Sequence, residues 1–145
     1  MTTAGTTQTF SFTLTGVDPT CTAPSTAANS CGIHIHSGTS CATAGGHYFT
    51  GTVTTDPWAT VVYTATAQGT TTGTLTVDTG ATGAEVSGRA MVIHSRSGSR
   101  VACALLVAPG PSPPATAGAF VPYVGYTGAL AVAGTVGPVT TTGTT

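Results

Sequence analysis

Apolar and polar positions alternate along "TQTFSFTLTGV", residues 7–17, where Phe10, Phe12 and Leu14 share one face and Ser and Thr occupy the other. A period of two marks a half-buried strand. Further segments of strand character cover residues 32–36, 50–54, 60–67, 73–77, 89–94 and 100–107. Clusters of Gly, Pro, Asp or Ser separate each from the next, the punctuation of a sandwich or barrel. No long apolar stripe at i, i+3, i+4 interrupts this pattern. The chain therefore reads as all-β, with about eight strands joined by short loops. Residues 108–116, "APGPSPPAT", form a proline-rich connector unsuited to a sheet interior. The C-terminal stretch 128–145 carries a further strand over 129–136. That strand either closes its own barrel or begins the next unit of a tandem array, since "TTTGTT" at the C-terminus nearly repeats "TTAGTT" near the N-terminus.

Composition sharpens this picture. The 145 residues are most simply one domain spanning 1–145. Threonine and 20 glycines favour strands and turns. Lysine is absent, and Arg89, Arg96 and Arg100 stand against Asp18, Asp56, Asp78 and Glu85 for a net charge of −1. Without a basic patch, nucleic acid is a poor partner. No apolar run is long enough to span a bilayer and no signal peptide is evident. The hydroxyl-rich surface, open to O-glycans, is expected of extracellular or cell-surface material. Met1 directly ahead of "TTAGTT" gives the chain the look of an excised or mature segment.

Four cysteines in a small, weakly charged β domain point to two disulfides and an oxidising compartment. Spacing does not choose among the three possible pairings. A local Cys21–Cys31 bridge would staple the loop "TAPSTAANS" and leave Cys41 with Cys103. Histidine is just as scarce: His34, His36, His47 and His94 are all the chain has. His34 and His36 are two apart in a strand, so both rings leave the same face and can reach one metal ion. The bend "ATAGG" can fold His47 back over them, and His94 ends the strand "GRAMVIH". Neutral imidazoles suit Cu, Zn and Ni, and four nitrogens in a tetragonal arrangement favour copper(II).

In order and local spacing, "GIHIH", "CATAGGH", "GRAMVIH" and "GSRVACA" resemble the copper/zinc superoxide dismutase family. The resemblance covers about residues 10–107. It implies a Greek-key, immunoglobulin-like β-sandwich or flattened barrel. It implies copper held by His34, His36, His47 and His94, a Cys41–Cys103 disulfide, and Arg100 as the residue that positions the anionic substrate. His47, at the position of the family's metal-bridging histidine, would carry a proton during turnover.

The departures are equally informative. The zinc-binding subloop of the two-metal enzymes has further histidines, whereas here "YFTGTVTTDPW" follows His47. The segment between His94 and Arg100 is only "SRSGS". Both features resemble the copper-only branch of the family, some of whose members are tandem repeats, and imply a site without zinc. A hydrogen-bond acceptor must then orient His47, with Asp56 the candidate and Glu85 the reserve. With so little positive charge, long-range steering of superoxide is weak. The site should then be shallow and exposed, with Arg96 assisting Arg100. The expected activity is disproportionation of superoxide to dioxygen and hydrogen peroxide. The alternative is a structural repeat of a wall or filament, with a vestigial or unloaded copper site and neighbouring repeats or subunits as partners.

Overall fold

The computed structural model describes residues 5–108 and 114–142. Most of the proline-rich connector, and parts of both Thr-Gly hexads, lie outside the described residues. The nine described strands are β1 (Thr7–Thr15), β2 (Ile33–His36), β3 (Thr71–Asp78), β4 (Ala90–His94), β5 (Arg100–Val107), β6 (Thr116–Ala117), β7 (Val121–Pro122), β8 (Ala133–Val136) and β9 (Thr140–Thr142). Among the described residues one short α-helix, α1 (Gly83–Val86), lies between β3 and β4. The strands form two antiparallel sheets of a β-sandwich. One is ordered β3-β1-β8 with β9 also on β1; the other is ordered β2-β4-β5-β6 with β7 also on β5. The chain is all-β, as its alternation predicts.

Parity along each strand sorts its residues. In β1, Phe10, Phe12 and Leu14 enter the core. Their outward neighbours pair with β3 through hydroxyls, Thr9 with Thr76, Ser11 with Thr74 and Thr13 with Thr72, at 3.1, 2.9 and 3.3 Å. From the second sheet, Ile33, Ile35, Met91, Ile93 and Leu106 pack into the same core. The opposite face of that sheet is buried too. It carries His34, His36 and His94 together with a small cluster of Ala44, Ala90, Val92 and Cys103. A strand buried on both faces must be covered on each side, and the long segment between β2 and β3 supplies the second cover.

That segment departs from the expected strands at two places. Residues 50–54 turn instead of extending: Gly51 adopts φ +64° and Val53 N–H donates back to the Thr50 carbonyl. Residues 60–67 keep their alternation, with Val61, Tyr63 and Ala65 buried. Their backbone, however, meets the irregular loop closed by Cys21–Cys31, in which Asn29 and Cys31 have positive φ. Tyr63 N–H reaches the Cys31 carbonyl and Ala65 N–H the Cys21 carbonyl. An isolated bridge, Gly32 to Val62, forms in place of a ladder.

The two disulfides are Cys21–Cys31 and Cys41–Cys103, with sequence separations of 10 and 62. The second fastens the 3-10 turn Cys41–Thr43 to β5. At the C-terminal end, β8 pairs antiparallel with β1, Val136 opposite Phe12. Among the described residues, no helix is long and apolar enough to cross a membrane.

Candidate metal centre

β2 and β4 run antiparallel with His34 opposite Val92 and His36 opposite Ala90, so His34 and His36 project from the face that Ala90 and Val92 share. His94 ends β4 on that face. The bend after His36 turns the chain back on itself: Ser37 N–H donates to the Gly46 carbonyl and Tyr48 N–H to that of Ile35. His47 thereby becomes the antiparallel bridge partner of His36. Ring centroids of His34 lie 4.4 Å from His47 and 4.8 Å from His94, and those of His36 lie 5.1 and 5.5 Å from the same two rings.

Each ring is fixed by one of its nitrogens. His34 Nε2 lies 2.9 Å from the Val61 carbonyl, His36 Nδ1 2.9 Å from the Gly45 carbonyl, and His94 Nδ1 3.3 Å from the Gly32 carbonyl. A carbonyl only accepts, so the ring nitrogen facing it carries the proton and donates. The other nitrogen of each ring is then a bare lone pair. Those atoms, His34 Nδ1, His36 Nε2 and His94 Nε2, are buried and have no hydrogen-bond partner. An unsatisfied buried polar atom costs about 1–3 kcal/mol, so three in one place call for a common explanation. Ligand atoms of His34, His36 and His47 lie within 4.8 Å of one another, close enough to bind one metal ion. His94 stands beside this triad, outside that mutual distance, with its lone pair equally orphaned.

His47 is held differently. Its Nδ1 donates to Asp56 Oδ2 at 2.6 Å. The other carboxylate oxygen of Asp56 accepts from the Trp58 backbone N–H at 2.8 Å. Both oxygens of Asp56 are thus committed, and Nε2 is the His47 nitrogen left for the site shared with His34 and His36. Glu85 serves elsewhere: it closes a capping box with Thr82 at the start of α1, where a carboxylate satisfies free backbone donors.

Burial keeps the inner rings uncharged. Loss of water, reinforced by neighbouring positive charge, pushes His36 down to about 4 and His94 to about 3 from the usual imidazole value, and His34 lower still. Neutral imidazole is the metal-binding form. The expected shallow, exposed site is corrected in one respect. His34, His36 and His94 are 0–1% exposed, and solvent reaches the cluster beside His47, whose side chain keeps 11%. The segment around Trp58 and Val61 lies against the His34 ring.

Arg100 is the β5 partner of His94, across an irregularity in register between Ile93 and His94. Its charge is among the influences that depress His36 and His94. Arg96 does not assist it. The Arg96 Nε donates to the Ala23 carbonyl and its backbone N–H to Asp18 Oδ2, tying it to the Cys21–Cys31 loop.

Several residues within the motifs or beside them support the rings in ways that the motifs alone do not reveal. Gly32 is one, because a Cβ there would collide with the His34 ring. Trp58, fully buried, donates Nε1–H to the Tyr48 carbonyl at 2.8 Å and lies 5.8 Å from the His34 ring. Arg89 donates to the Ser37 carbonyl and stacks 4.0 Å from the Tyr48 ring, bracing the residues that follow His36 and His47.

Compared with known proteins, the chain matches no family model, no curated protein and no solved structure.

Proposed function

We propose that this chain is a copper-only superoxide dismutase of an extracellular or cell-surface protein. The observation that carries the reading is the convergence of three orphaned, buried imidazole lone pairs beside a fourth histidine oriented by Asp56. The donor set fits copper: four imidazoles, with no thiolate, since all four cysteines are in disulfides. His34, His36, His47 and His94 would hold the ion. Copper, when bound, supplies one-electron chemistry, oxidising one superoxide to dioxygen and reducing the next to peroxide.

The chain's own residues have separate tasks. Val61, Gly45 and Gly32 carbonyls fix the tautomers of the three inner rings. Asp56 takes the Nδ1–H of His47, the position that a second metal occupies in the two-metal enzymes the sequence resembles. That pairing supports a site without zinc. His47 Nε2, when not holding the ion, would take up one proton and give it up as peroxide forms; the second of the two protons consumed for each pair of superoxides would come from solvent. Arg100 offers an uncompensated cation beside His94 for a small anion. A pure copper carrier would have no use for it. Two disulfides and a hydroxyl-rich, nearly neutral surface support an oxidising, extracellular setting.

The test is superoxide decay catalysed by copper-loaded protein, compared with Arg100→Gln. Catalytic decay that falls in the variant is expected; stoichiometric copper without dismutation would leave a storage or structural role.

A further inference from the structure

We propose that Tyr123 is the positioning residue for Arg100, holding its guanidinium beside the histidine centre without cancelling its charge. The inference rests on the functional reading above and names a part of that site which neither its motifs nor its metal ligands include.

The contact is direct. Arg100 Nη1 donates to the Tyr123 hydroxyl at 2.7 Å, and the guanidinium carbon lies 5.4 Å from the ring centroid. Arginine has considerable rotamer entropy to lose when it is fixed, so a long side chain meant to meet a small anion at a set point needs a tether. Proteins usually tether arginine with a carboxylate. Such a partner would neutralise the charge the anion needs. Among the described residues Arg100 forms no ion pair; that of His47 with Asp56 is the one found. A phenol oxygen accepts one of five N–H groups and leaves the rest, with the full positive charge, available.

Tyr123 is itself rigidly mounted. β7 pairs with β5, Val121 opposite Cys103 and Pro122 opposite Ala102. Beyond it, Tyr123 N–H donates to the Val101 carbonyl, and the Tyr123 carbonyl accepts from Tyr126 N–H, both at 2.9 Å. Tyr123 packs on the cluster of Ala44, Ala90, Val92 and Cys103, to which the Cys41–Cys103 bridge also belongs. Residues 95–99, the short link from β4 to β5, fold on themselves through Ser95, Ser97 and Ser99 hydroxyls and offer Arg100 no side-chain hydrogen bond. The support comes from the segment after β7. Arg100 and Tyr123, with Ser99 and Tyr126, line an open pocket of about 520 Å³. An anion can therefore reach the tethered guanidinium from solvent.

The experiment uses Tyr123→Phe, which keeps the packed ring and deletes the acceptor, with azide as the anion probe on copper-loaded protein. Azide affinity should fall about 3- to 10-fold, the loss expected when one typical intramolecular hydrogen bond is removed. The same change in an Arg100→Gln background should cost nothing further, since Tyr123 acts through Arg100. In metal-free protein, the ¹⁵N relaxation of the Arg100 Nε–H should report a more mobile guanidinium in Tyr123→Phe, at an unchanged melting temperature. Unchanged Arg100 mobility and azide affinity would overturn the proposal, as would an equal loss in the Arg100→Gln background. Failure of the wild-type protein to dismutate superoxide would sink the enzymatic reading alone, because neither readout depends on turnover.

Discussion

His47 Nδ1 lies 2.6 Å from Asp56 Oδ2, and the second oxygen of the same carboxylate is held by the Trp58 backbone N–H. This pairing fixes which nitrogen of His47 is free, and so whether a metal held by His34 and His36 gains a third ligand. Partners of this kind typically contribute 10–100-fold to metal affinity. In Asp56→Ala, copper affinity measured against a competing chelator should fall by about that factor, with the fold retained by circular dichroism. Wild-type affinity in the variant would show that His47 needs no such orientation.

Gly32 offers a complementary change on the other side of the cluster. Alanine there drives a methyl group into the His34 ring, whose Nε2 must stay on the Val61 carbonyl for Nδ1 to face inward. Gly32→Ala should displace the ring, alter the copper EPR spectrum and lower stability by about 1–3 kcal/mol, the usual cost of overpacking. A native spectrum would mean that the ring has room which the structure denies it.

The metal-free protein should also show a defined pH dependence. The inner histidines are depressed by burial, His36 to about 4 and His94 to about 3. Once unfolded, the same groups take up protons near the ordinary imidazole value of about 6.5. Between these limits the unfolded chain binds more protons, so stability is full above pH 6.5 and falls as the solution is acidified. Each histidine contributes a slope of at most about 1.4 kcal/mol per pH unit. Urea unfolding at pH 7.5, 6 and 5 checks this, and a flat profile would mean that the rings are not buried as described.

Loss of the long-range staple is expected to be costly. Cys41–Cys103 closes a separation of 62 residues and joins the turn ahead of His47 to β5. Replacing both cysteines with serine should destabilise the protein by about 2–5 kcal/mol in chemical denaturation. It should also broaden the copper spectrum, because the returning loop that presents His47 loses its anchor. Unchanged stability would show that strand pairing alone holds that loop.

The histidine cluster was legible because its signals are short-range and chemically rare. Two histidines at i, i+2 in a strand share a face by parity alone, and the glycine-rich bend allows His47 to return to His36. Asp56 could be singled out as one of few carboxylates near His47. The atoms that set the tautomers were not legible. They are backbone carbonyls of Val61, Gly45 and Gly32, and every residue carries one. Tyr123 was invisible for a different reason: it meets Arg100 across 23 residues of sequence through a two-residue strand. The strand expected over residues 60–67 does not form: Val61, Tyr63 and Ala65 alternate into the core, but only the isolated Gly32–Val62 bridge pairs the segment. Pattern reports which side chains face inward, whereas a strand also needs a regular partner, and the Cys21–Cys31 loop is not one.

Stopped-flow decay of superoxide by protein loaded with one equivalent of copper and no zinc tests the proposed activity at its source. Many turnovers per copper are expected, with activity lost in His94→Ala. One tightly bound copper per chain with superoxide decaying no faster than in buffer would contradict it.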